Sequence, residues 1–475
     1  MNIKIPTNIL RQYHLPPDLF FQFKLVDPRV LLCPERLDIA AKYFYLDKRE
    51  TLKDYACKVY AEHIKAMTKN SLVEPYSSKQ NLKSFFKNFD LLYQNLSSQG
   101  YKAEQVIPVD KDLRIMDGAH RVASCLKLGI SVPVIILPIE AKYDIYDQVY
   151  FEKQGIDPDI LETIMRTYLD LSSKTLCINI WPSAQGHDKE LNDLICAYFH
   201  VVYRKVFTLN ETGALFYLAQ IYREYSWAHS QKGDFSGIYR KLIPCFPTYQ
   251  PVRAIFVEPK TNVSITAIKE QMRSLFNLEK HSLHITDNVK ETQQMAEIIL
   301  NKNSIQFLNM ANIGAFENTF LLVKAAIEKH VKCSPIVFTG SLVLALYGIR
   351  PANDVDYIVD DHTDPHSHNE LLDLYPLDKT VLLYDENYHF CFFGCHFVIL
   401  EIIKQFKMKR NEHKDKEDLA LIDLVLRKRQ SSTLKVQILR FKRRTIAKLQ
   451  GSIIRMAHRT GTYEVLRKVY QYLKK

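Results

Sequence analysis

The stretch Ile336–Asp361, IVFTGSLVLALYGIRPANDVDYIVDD, carries the clearest chemical pattern in this chain. Its apolar start leads into Gly340-Ser341, where glycine permits a backbone turn that lets a phosphate approach main-chain N–H groups. Apolar residues then predict a short helix from Leu342 to Tyr347. The alternation from Asn353 to Val359 predicts a second strand. The stretch is therefore expected to fold as strand, tight turn, helix, loop and strand.

Two carboxylates in the second strand give this unit its chemistry. Because strand side chains repeat every two residues, Asp354 and Asp356 are expected on one face of the strand. Neighbouring carboxylates repel unless a cation lies between them, and Mg²⁺ prefers a few carboxylates together with phosphate oxygens. The pattern therefore predicts a magnesium site. A surface turn with two merely solvated aspartates is the alternative.

This arrangement resembles the nucleotidyltransferase superfamily, whose signature is a Gly-Ser turn followed by an Asp-x-Asp strand. The matching residues are Gly340, Ser341, Asp354 and Asp356. The resemblance implies that the aspartates hold the metal of a nucleoside triphosphate and that Ser341 touches its phosphates. The family usually adds a third carboxylate from a later strand, for which Glu401 at the end of Cys395–Glu401 is the candidate. The charged segment Lys409–Leu419 looks like the helix that follows the sheet in small members.

A second motif lies in the first third of the chain. The segment Arg114–Gly129 predicts a strand that runs into Asp117-Gly118 and a helix that begins at Ala119 and ends at Gly129. A further strand is expected at Val132–Leu137. A helix N-terminus offers unpaired N–H groups to a phosphate, and the guanidinium of Arg121 would add a bidentate partner.

This second motif resembles the ParB and sulfiredoxin superfamily, in which a Gly-x-His-Arg turn binds nucleotide phosphates. The matching residues are Asp117, Gly118, His120 and Arg121. Ala119 stands where sulfiredoxin chemistry needs a cysteine, and no helix-turn-helix follows. The alternative is a capped helix whose His120 and Arg121 only tie down a neighbouring loop.

The middle of the chain is the least informative part. Val252–Glu258 predicts a strand, and His281–Asp287 predicts another strand that feeds a helix over Glu291–Leu300, capped by Thr286 or Asp287. A strand feeding a capped helix is typical of an α/β layer with a site at the carboxyl ends of its strands. Metal binding by His281, His284 and Asp287 is the alternative to simple capping.

Composition and charge narrow the functional class. The 475 residues carry nine cysteines without a CxxC pair, which favours free thiols in a reducing cytoplasm, and no signal peptide or 18-residue apolar run is recognisable. The net charge of +11 resides in the tail: residues 427–475 contain 15 Lys or Arg and one acid, which leaves 49 bases and 52 acids elsewhere. Alternating apolar and basic groups predict amphipathic helices that bind an anionic membrane surface. The alternatives are a basic helix that packs on the protein's own acidic surface and a tail that binds nucleic acid.

The fold class expected is α/β and α+β, in several domains. We expect a ParB/sulfiredoxin-like domain at 1–145, an α/β domain of unknown type at 146–312, a nucleotidyltransferase-like domain with a mixed sheet at 313–426 and a basic helical tail at 427–475. Buried free thiols are expected for the cysteines, including Cys391 and Cys395.

The function expected is Mg²⁺-dependent nucleotidyl or phosphoryl transfer from a nucleoside triphosphate to a sugar or other small hydroxylated acceptor. Proteins that combine these pieces look like accessory enzymes of bacterial capsule or lipopolysaccharide synthesis, so the expected location is the cytoplasm, peripheral on the inner face of the cytoplasmic membrane. One alternative is a nucleotide-binding, ParB-like protein that binds nucleic acid. Another is a catalytically inactive, regulatory nucleotidyltransferase-like module.

Overall fold

The computed structural model describes residues 22–74, 78–101, 106–137, 145–228, 236–260, 264–312, 335–360 and 367–428, and the single residues 325, 456 and 462. These residues form a mixed α and β fold with three small sheets. One sheet lies in each of the first three predicted regions. Within the described part of the chain, no helix is long and apolar enough to cross a membrane. Apart from Arg427, Lys428 and two single residues, the predicted tail lies outside the described residues.

The N-terminal sheet has the strand order β1-β3-β2, with β1 antiparallel and β2 parallel to β3. Its strands are β1 (Gln22–Val26), β2 (Ile107–Val109) and β3 (Val132–Ile136). The helices of this part of the chain are α1 (Asp38–Lys48), α2 (Lys53–Met67), α3 (Leu82–Gln99), α4 (Ala119–Leu128), α5 (Gln148–Lys153) and α6 (Pro158–Leu171), with a 3-10 turn at Pro28–Leu31. Because α6 packs on α1 and α2, the N-terminal unit extends past the boundary predicted at 145.

A buried ion cluster holds the first helix in place. The carboxylate of Asp38 accepts hydrogen bonds from the guanidinium of Arg36 (2.8 and 3.0 Å) and from Nζ of Lys42 (2.7 Å). All three side chains are almost fully buried. Arg36 also donates to the carbonyl of Ile115, which ties α1 to the loop before α4. Loss of Asp38 would leave two buried cations without their partner, the costly way to break such a cluster.

His63 on α2 lies next to this cluster and is fully buried. Its Nδ1–H donates to the carbonyl of Tyr60 at 2.7 Å, whereas Nε2 has no hydrogen-bond partner. Burial and the nearby charge of Lys42 lower the pKa of His63 to about 3. The folded protein therefore holds His63 neutral at pH values where the unfolded chain already binds a proton.

This difference predicts an acid-dependent loss of stability. Between about pH 6.5, the ordinary pKa of histidine, and pH 3, the unfolded state binds more protons at His63 than the folded state does. The contribution of His63 to the free energy of unfolding therefore falls as the pH falls, by about 1.4 kcal/mol per pH unit in the middle of that window. In His63→Asn, whose amide N–H can replace Nδ1–H, the slope of the free energy of unfolding against pH should be smaller than in the wild type by about 1.4 kcal/mol per pH unit in urea unfolding at pH 4 to 5.5. The exposed control His413→Asn should keep the wild-type slope; equal slopes in both variants would refute the assignment.

The middle sheet has the strand order β5-β6-β4-β7, and every neighbouring pair is antiparallel. Its strands are β4 (Leu176–Ile180), β5 (Phe199–Phe207), β6 (Val252–Pro259) and β7 (Leu283–Ile285). The helices are α7 (Asp188–Tyr198), α8 (Glu211–Ile221), α9 (Ser236–Cys245), α10 (Ile265–Ser274), α11 (Val289–Ile299) and α12 (Lys302–Met310), with a 3-10 turn at Glu279–His281. The predicted α/β layer is thus corrected to an antiparallel sheet with helices, which has no shared edge of parallel carboxyl ends.

The predicted cap of α11 is also wrong. Its N-cap is Asn288, whose side chain accepts from the N–H of Glu291 at 2.9 Å. Thr286 instead shares a hydrogen bond with Thr292, and Asp287 accepts from Lys269 and Tyr225. Asparagine is as good an N-cap as aspartate, so N-cap preference alone could not decide between Asp287 and Asn288.

The C-terminal sheet has the strand order β10-β11-β8-β9 and is mixed. Its strands are β8 (Ile336–Thr339), β9 (Asp356–Val359), β10 (His389–Phe392) and β11 (Cys395–Val398). The helices are α13 (Gly340–Leu346), α14 (Lys379–Tyr384), α15 (Leu400–Arg410) and α16 (His413–Lys428), with 3-10 turns at His368–Leu374 and Glu386–Tyr388. Strand β11 runs parallel to β8, whereas β9 runs antiparallel to β8 and β10 antiparallel to β11.

One apolar core runs through all three regions. The ring of Phe307 on α12 stacks on Phe390 of β10 with centroids 4.1 Å apart, and Phe390 stacks on Phe397 of β11 at 5.2 Å. A smaller core lies on the other face of the middle sheet, where Ile178, Val257 and Ile285 are fully buried. Because the larger core is continuous, the three sheets pack together as parts of one described body.

Candidate functional site

The strand directions place the predicted site residues at one edge of the C-terminal sheet. Strand β8 ends at Thr339, and its antiparallel neighbour β9 begins at Asp356, which is the register partner of Thr339. Strand β11 runs parallel to β8, so it also ends at this edge. Three segments therefore meet at this edge: the turn after β8, the start of β9 and the segment after β11. The Gly-Ser turn and the Asp-x-Asp segment thus lie side by side.

Gly340 makes this meeting sterically feasible. It has φ +63°, and a Cβ placed there would lie 1.9 Å from Oδ2 of Asp356. Both the left-handed backbone and the contact exclude other residues. The turn can therefore sit against the carboxylate only because residue 340 has no side chain.

Ser341 binds both aspartates. Its backbone N–H donates to Oδ2 of Asp356 at 3.3 Å, and its hydroxyl donates to Oδ1 of Asp354 at 2.8 Å. Ser341 is buried and Asp354 exposed. The prediction that Asp354 lies in the strand is wrong, because β9 begins only at Asp356 and Asp354 lies in the preceding bend. The two carboxylates nevertheless converge on Ser341.

A relay of hydrogen bonds fixes the other oxygen of Asp356. Nε2 of His368 lies 3.2 Å from Oδ1 of Asp356, Nδ1 of His368 lies 3.0 Å from the hydroxyl of Tyr375, and that hydroxyl lies 2.8 Å from Oγ1 of Thr339. An ionised carboxylate only accepts, so Nε2 carries the proton that faces Asp356. The rings of His368 and Tyr375 both pack on Phe406 of α15.

Asp356 is held in its ionised form. Burial raises its pKa, but the hydrogen bond and charge of His368, the N–H of Ser341 and the charge of Arg410 outweigh burial, so the net pKa of Asp356 is lower than usual. Because the carboxyl group of Asp356 is already ionised, it can bind a cation without first losing a proton. Sequence reasoning missed His368 and Tyr375; the three histidines at 362, 366 and 368 were the available signal.

The third carboxylate needs a correction. Strand β11 ends at Val398, so Glu401 lies in the first turn of α15 and not at a strand end as predicted. It is half-buried, and α15 packs on α13. Topology thus brings Glu401 to the same edge as Ser341.

The charged segment after the sheet forms two helices, not one. Asn411 takes a left-handed conformation (φ 53°) that ends α15 at Arg410, and α16 begins at His413. Across this break, the carboxylate of Asp415 accepts from Arg410 at 2.6 and 2.9 Å and from Nζ of Lys407 at 3.1 Å. These bonds fix Arg410 near Asp356 at the edge of the sheet.

These residues fit a hard divalent cation. Two carboxylates and a hydroxyl are oxygen donors of the kind that Mg²⁺ prefers. Oδ2 of Asp354 has no hydrogen-bond partner among the described residues. Hydrogen bonds from His368 and from the N–H of Ser341 orient the carboxylate of Asp356, as metal-binding carboxylates usually require. The donor set therefore suits the predicted ion.

The N-terminal motif is built differently from its prediction. Helix α4 begins at Ala119 after Gly118 (φ 95°) and ends at Gly129, as expected. His120 points inward, with Nε2 3.0 Å from the hydroxyl of Tyr60 and its ring edge-on to Phe89. Arg121 folds back over Gly118 and contacts Asp117 (3.5 Å) and the carbonyl of Val106 (3.4 Å). This geometry favours the tie-down alternative over phosphate binding by these two side chains.

The alternative of a metal site formed by His281, His284 and Asp287 is not supported, because each of these side chains contacts a different partner. Nε2 of His284 lies 2.8 Å from Glu291, and Nδ1 of His281 faces the thiol of Cys245 at 3.9 Å. Asp287 pairs with Lys269.

The eight cysteines in the described ranges are all free; four are buried, whereas Cys196 is exposed. The predicted buried thiol holds for Cys391, while Cys395 is only half-buried.

Comparison of the chain with family models, with curated proteins and with solved structures returned no match. Both resemblances therefore rest on the quoted motif residues.

Replacing Gly340 and Gly129 by alanine distinguishes the effect of a lost site geometry from the effect of backbone strain. Gly129 has nearly the same φ (67°) as Gly340 (63°), but a Cβ there would meet nothing within 4 Å. Gly129→Ala should lose about 1–2 kcal/mol of stability in urea unfolding, because it forces alanine into a left-handed conformation. Gly340→Ala should lose more, because its Cβ would also overlap Asp356. Only Gly340→Ala should also lose Mg²⁺-dependent nucleotide binding in calorimetry, since its Cβ displaces Asp356. Normal binding by Gly340→Ala would contradict the site.

Proposed function

We propose that the C-terminal unit is a Mg²⁺-dependent nucleotidyltransferase or phosphotransferase whose site lies at the edge formed by the ends of β8 and β11 and the start of β9. The observation that carries this proposal is the convergence of Asp354 and Asp356 on Ser341, with Asp356 packed against Gly340. A carboxylate pair beside a glycine turn is what the Gly-Ser and Asp-x-Asp resemblance implies. The donor set of the site is consistent with it.

Each residue has a definite part in this proposal. Asp354 and Asp356 would hold the metal, which neutralises triphosphate charge and stabilises the departing pyrophosphate. The hydroxyl of Ser341, which now donates to Asp354, would turn to a phosphate oxygen when Asp354 binds the cation. His368 is a positioning residue, because its bond to Oδ1 holds the plane of the Asp356 carboxylate.

Two further residues complete the proposed site. Glu401 would provide a third carboxylate from the first turn of α15. Arg410 is held near Asp356 by Asp415 and would contribute positive charge toward the phosphates. A fixed arginine costs little to reorganise during the reaction, which is how preorganised charge stabilises a transition state.

The acceptor is proposed as a sugar or another small hydroxylated molecule, in capsule or lipopolysaccharide synthesis, and this part rests on the resemblance of the combined motifs alone. The basic tail would bring the enzyme to an anionic membrane surface. No contact described above favours the nucleic-acid alternative, since the His120 and Arg121 side chains are engaged within the fold.

The proposal predicts that either aspartate is indispensable. Asp354→Asn and Asp356→Asn should abolish Mg²⁺-dependent binding of nucleoside triphosphates in calorimetry, and transition-state stabilisation should drop by several kcal/mol, because each removes a metal ligand. The screen should cover the common nucleoside triphosphates with Mg²⁺ and with a chelator. Circular dichroism should show that both variants stay folded.

A matched control lies on the same strand segment. Asp360 follows β9 at its far end, is exposed and pairs weakly with Lys379 at 3.9 Å. Asp360→Asn should bind nucleotide and Mg²⁺ like the wild type. Unchanged turnover in Asp356→Asn, or binding that persists without Mg²⁺, would eliminate the proposed mechanism; the latter result would favour the inactive regulatory alternative.

A further inference from the structure

One cavity of the described structure lies away from the aspartate pair. It has a volume of about 580 Å³ and is lined by α1, α6, the 3-10 turn Glu386–Tyr388, the start of β8 and the β10–β11 hairpin. The aspartates lie where β8 ends, whereas the cavity includes Pro335 and Ile336, where β8 starts. The two places are therefore at opposite edges of one sheet.

Three side chains of different chemistry converge beside this cavity. A ligand atom of Glu297 on α11, Sγ of Cys391 on β10 and a ring nitrogen of His396 on β11 all lie within 4.8 Å of one another. The thiol of Cys391 donates to Oε2 of Glu297 at 3.3 Å. Among the described residues, this is the only group of three such ligands with that spacing.

The fold holds this group in place. Cys391 and His396 are register partners in the β10–β11 hairpin, so their side chains project from the same face of the sheet. The hydroxyl of Ser304 on α12 accepts from the N–H of Cys391 at 2.8 Å and donates to the carbonyl of Glu297 at 3.4 Å. One serine thus ties both ligand-bearing segments together, and the three ligands come from rigid elements.

The chemistry of the donors selects the metal. A thiolate, an imidazole and a carboxylate form the mixed sulfur, nitrogen and oxygen set that suits Zn²⁺, whereas Mg²⁺ prefers oxygen alone. Zinc bonds of about 2.0–2.3 Å place tetrahedral ligand atoms roughly 3.5 Å apart, so the observed spacing needs only small side-chain movements. Three protein ligands leave a fourth position, the arrangement of zinc sites that bind water or substrate.

The surroundings suit a cation as well. His396 and the neighbouring Cys395 line the cavity, together with Asp170 and Glu386. Glu386 is paired with Arg166 at 2.7 Å. Carboxylates outnumber basic side chains in the lining, which carries Asp47, Asp170, Asp385 and Glu386 against Arg29, Lys48 and Arg166. The fourth position would therefore open toward a cavity with an excess of carboxylates.

We propose that Glu297, Cys391 and His396 bind one zinc ion whose fourth coordination position faces this cavity. Binding replaces the S–H···O bond between Cys391 and Glu297 by two metal bonds, and the thiol proton is released to solvent. The site is separate from Asp354 and Asp356 and does not depend on the function proposed for them.

The test uses the full chain, freed of metal with a chelator and titrated with Zn²⁺ or Co²⁺. The wild type should take up about one Zn²⁺ per chain by elemental analysis, and Co²⁺ should produce a thiolate-to-cobalt charge-transfer band in the near ultraviolet. Cys391→Ser should lose that band. Cys391→Ser, His396→Gln and Glu297→Gln should each lower the affinity for Zn²⁺ at least about 100-fold, which is more than the loss of a residue that only hydrogen-bonds to a metal ligand usually costs.

Matched controls come from exposed residues of the same types. Cys196→Ser and His200→Gln, both at exposed positions, should keep the stoichiometry and the band, and so should Asp356→Asn. Thermal melts with and without Zn²⁺ check folding: if Cys391→Ser does not fold, Glu297→Gln provides the same test. Zinc uptake without the charge-transfer band, a band that survives in Cys391→Ser, or its loss in Cys196→Ser would overturn the proposal.

Discussion

The close approach of the Asp356 carboxylate to the backbone of Gly340 is the constraint on which the proposed site depends. Antiparallel pairing of Thr339 with Asp356 brings the start of β9 beside the end of β8. The carboxylate then occupies the space that any side chain at residue 340 would need. From this contact follow the bonds of Ser341, the position of Asp354 and the direction from which a cation can reach both carboxylates.

Other residues of the C-terminal unit hold the Asp356 carboxylate in this position. The relay from Thr339 through Tyr375 and His368 holds one oxygen of Asp356, and Phe406 packs under both rings of the relay. Phe406 belongs to α15, whose last turn carries Arg410. The carboxylate plane, the aromatic support and the nearby positive charge therefore belong to one packed assembly.

Local patterns predicted the site better than they predicted its surroundings. The turn at Gly340, the helix after it and the existence of strand β9 follow from glycine conformation, apolar residues and strand alternation, which are properties of neighbouring residues. The partnership of His368 with Asp356 joins residues twelve apart through a 3-10 turn, and the position of Glu401 depends on where β11 stops. Neither is encoded in a local pattern, so neither was predicted.

The same distinction explains the errors elsewhere. Helix α4 was predicted correctly because its periodicity and the glycines at its two ends are local features, whereas the antiparallel order of the middle sheet depends on pairing between strands far apart in the chain. The inward turn of His120 depends on Tyr60 and Phe89, which are distant in sequence. A motif defines which residues are available, and packing decides which of them face a ligand.

The most direct measurement is anomalous X-ray diffraction from crystals grown with Mn²⁺, in place of Mg²⁺, and a non-hydrolysable nucleoside triphosphate. The account predicts an anomalous peak coordinated by Asp354 and Asp356, with the triphosphate beside Gly340 and Ser341. A nucleotide bound elsewhere, or Mn²⁺ absent from this pair of carboxylates while the nucleotide is bound, would contradict it.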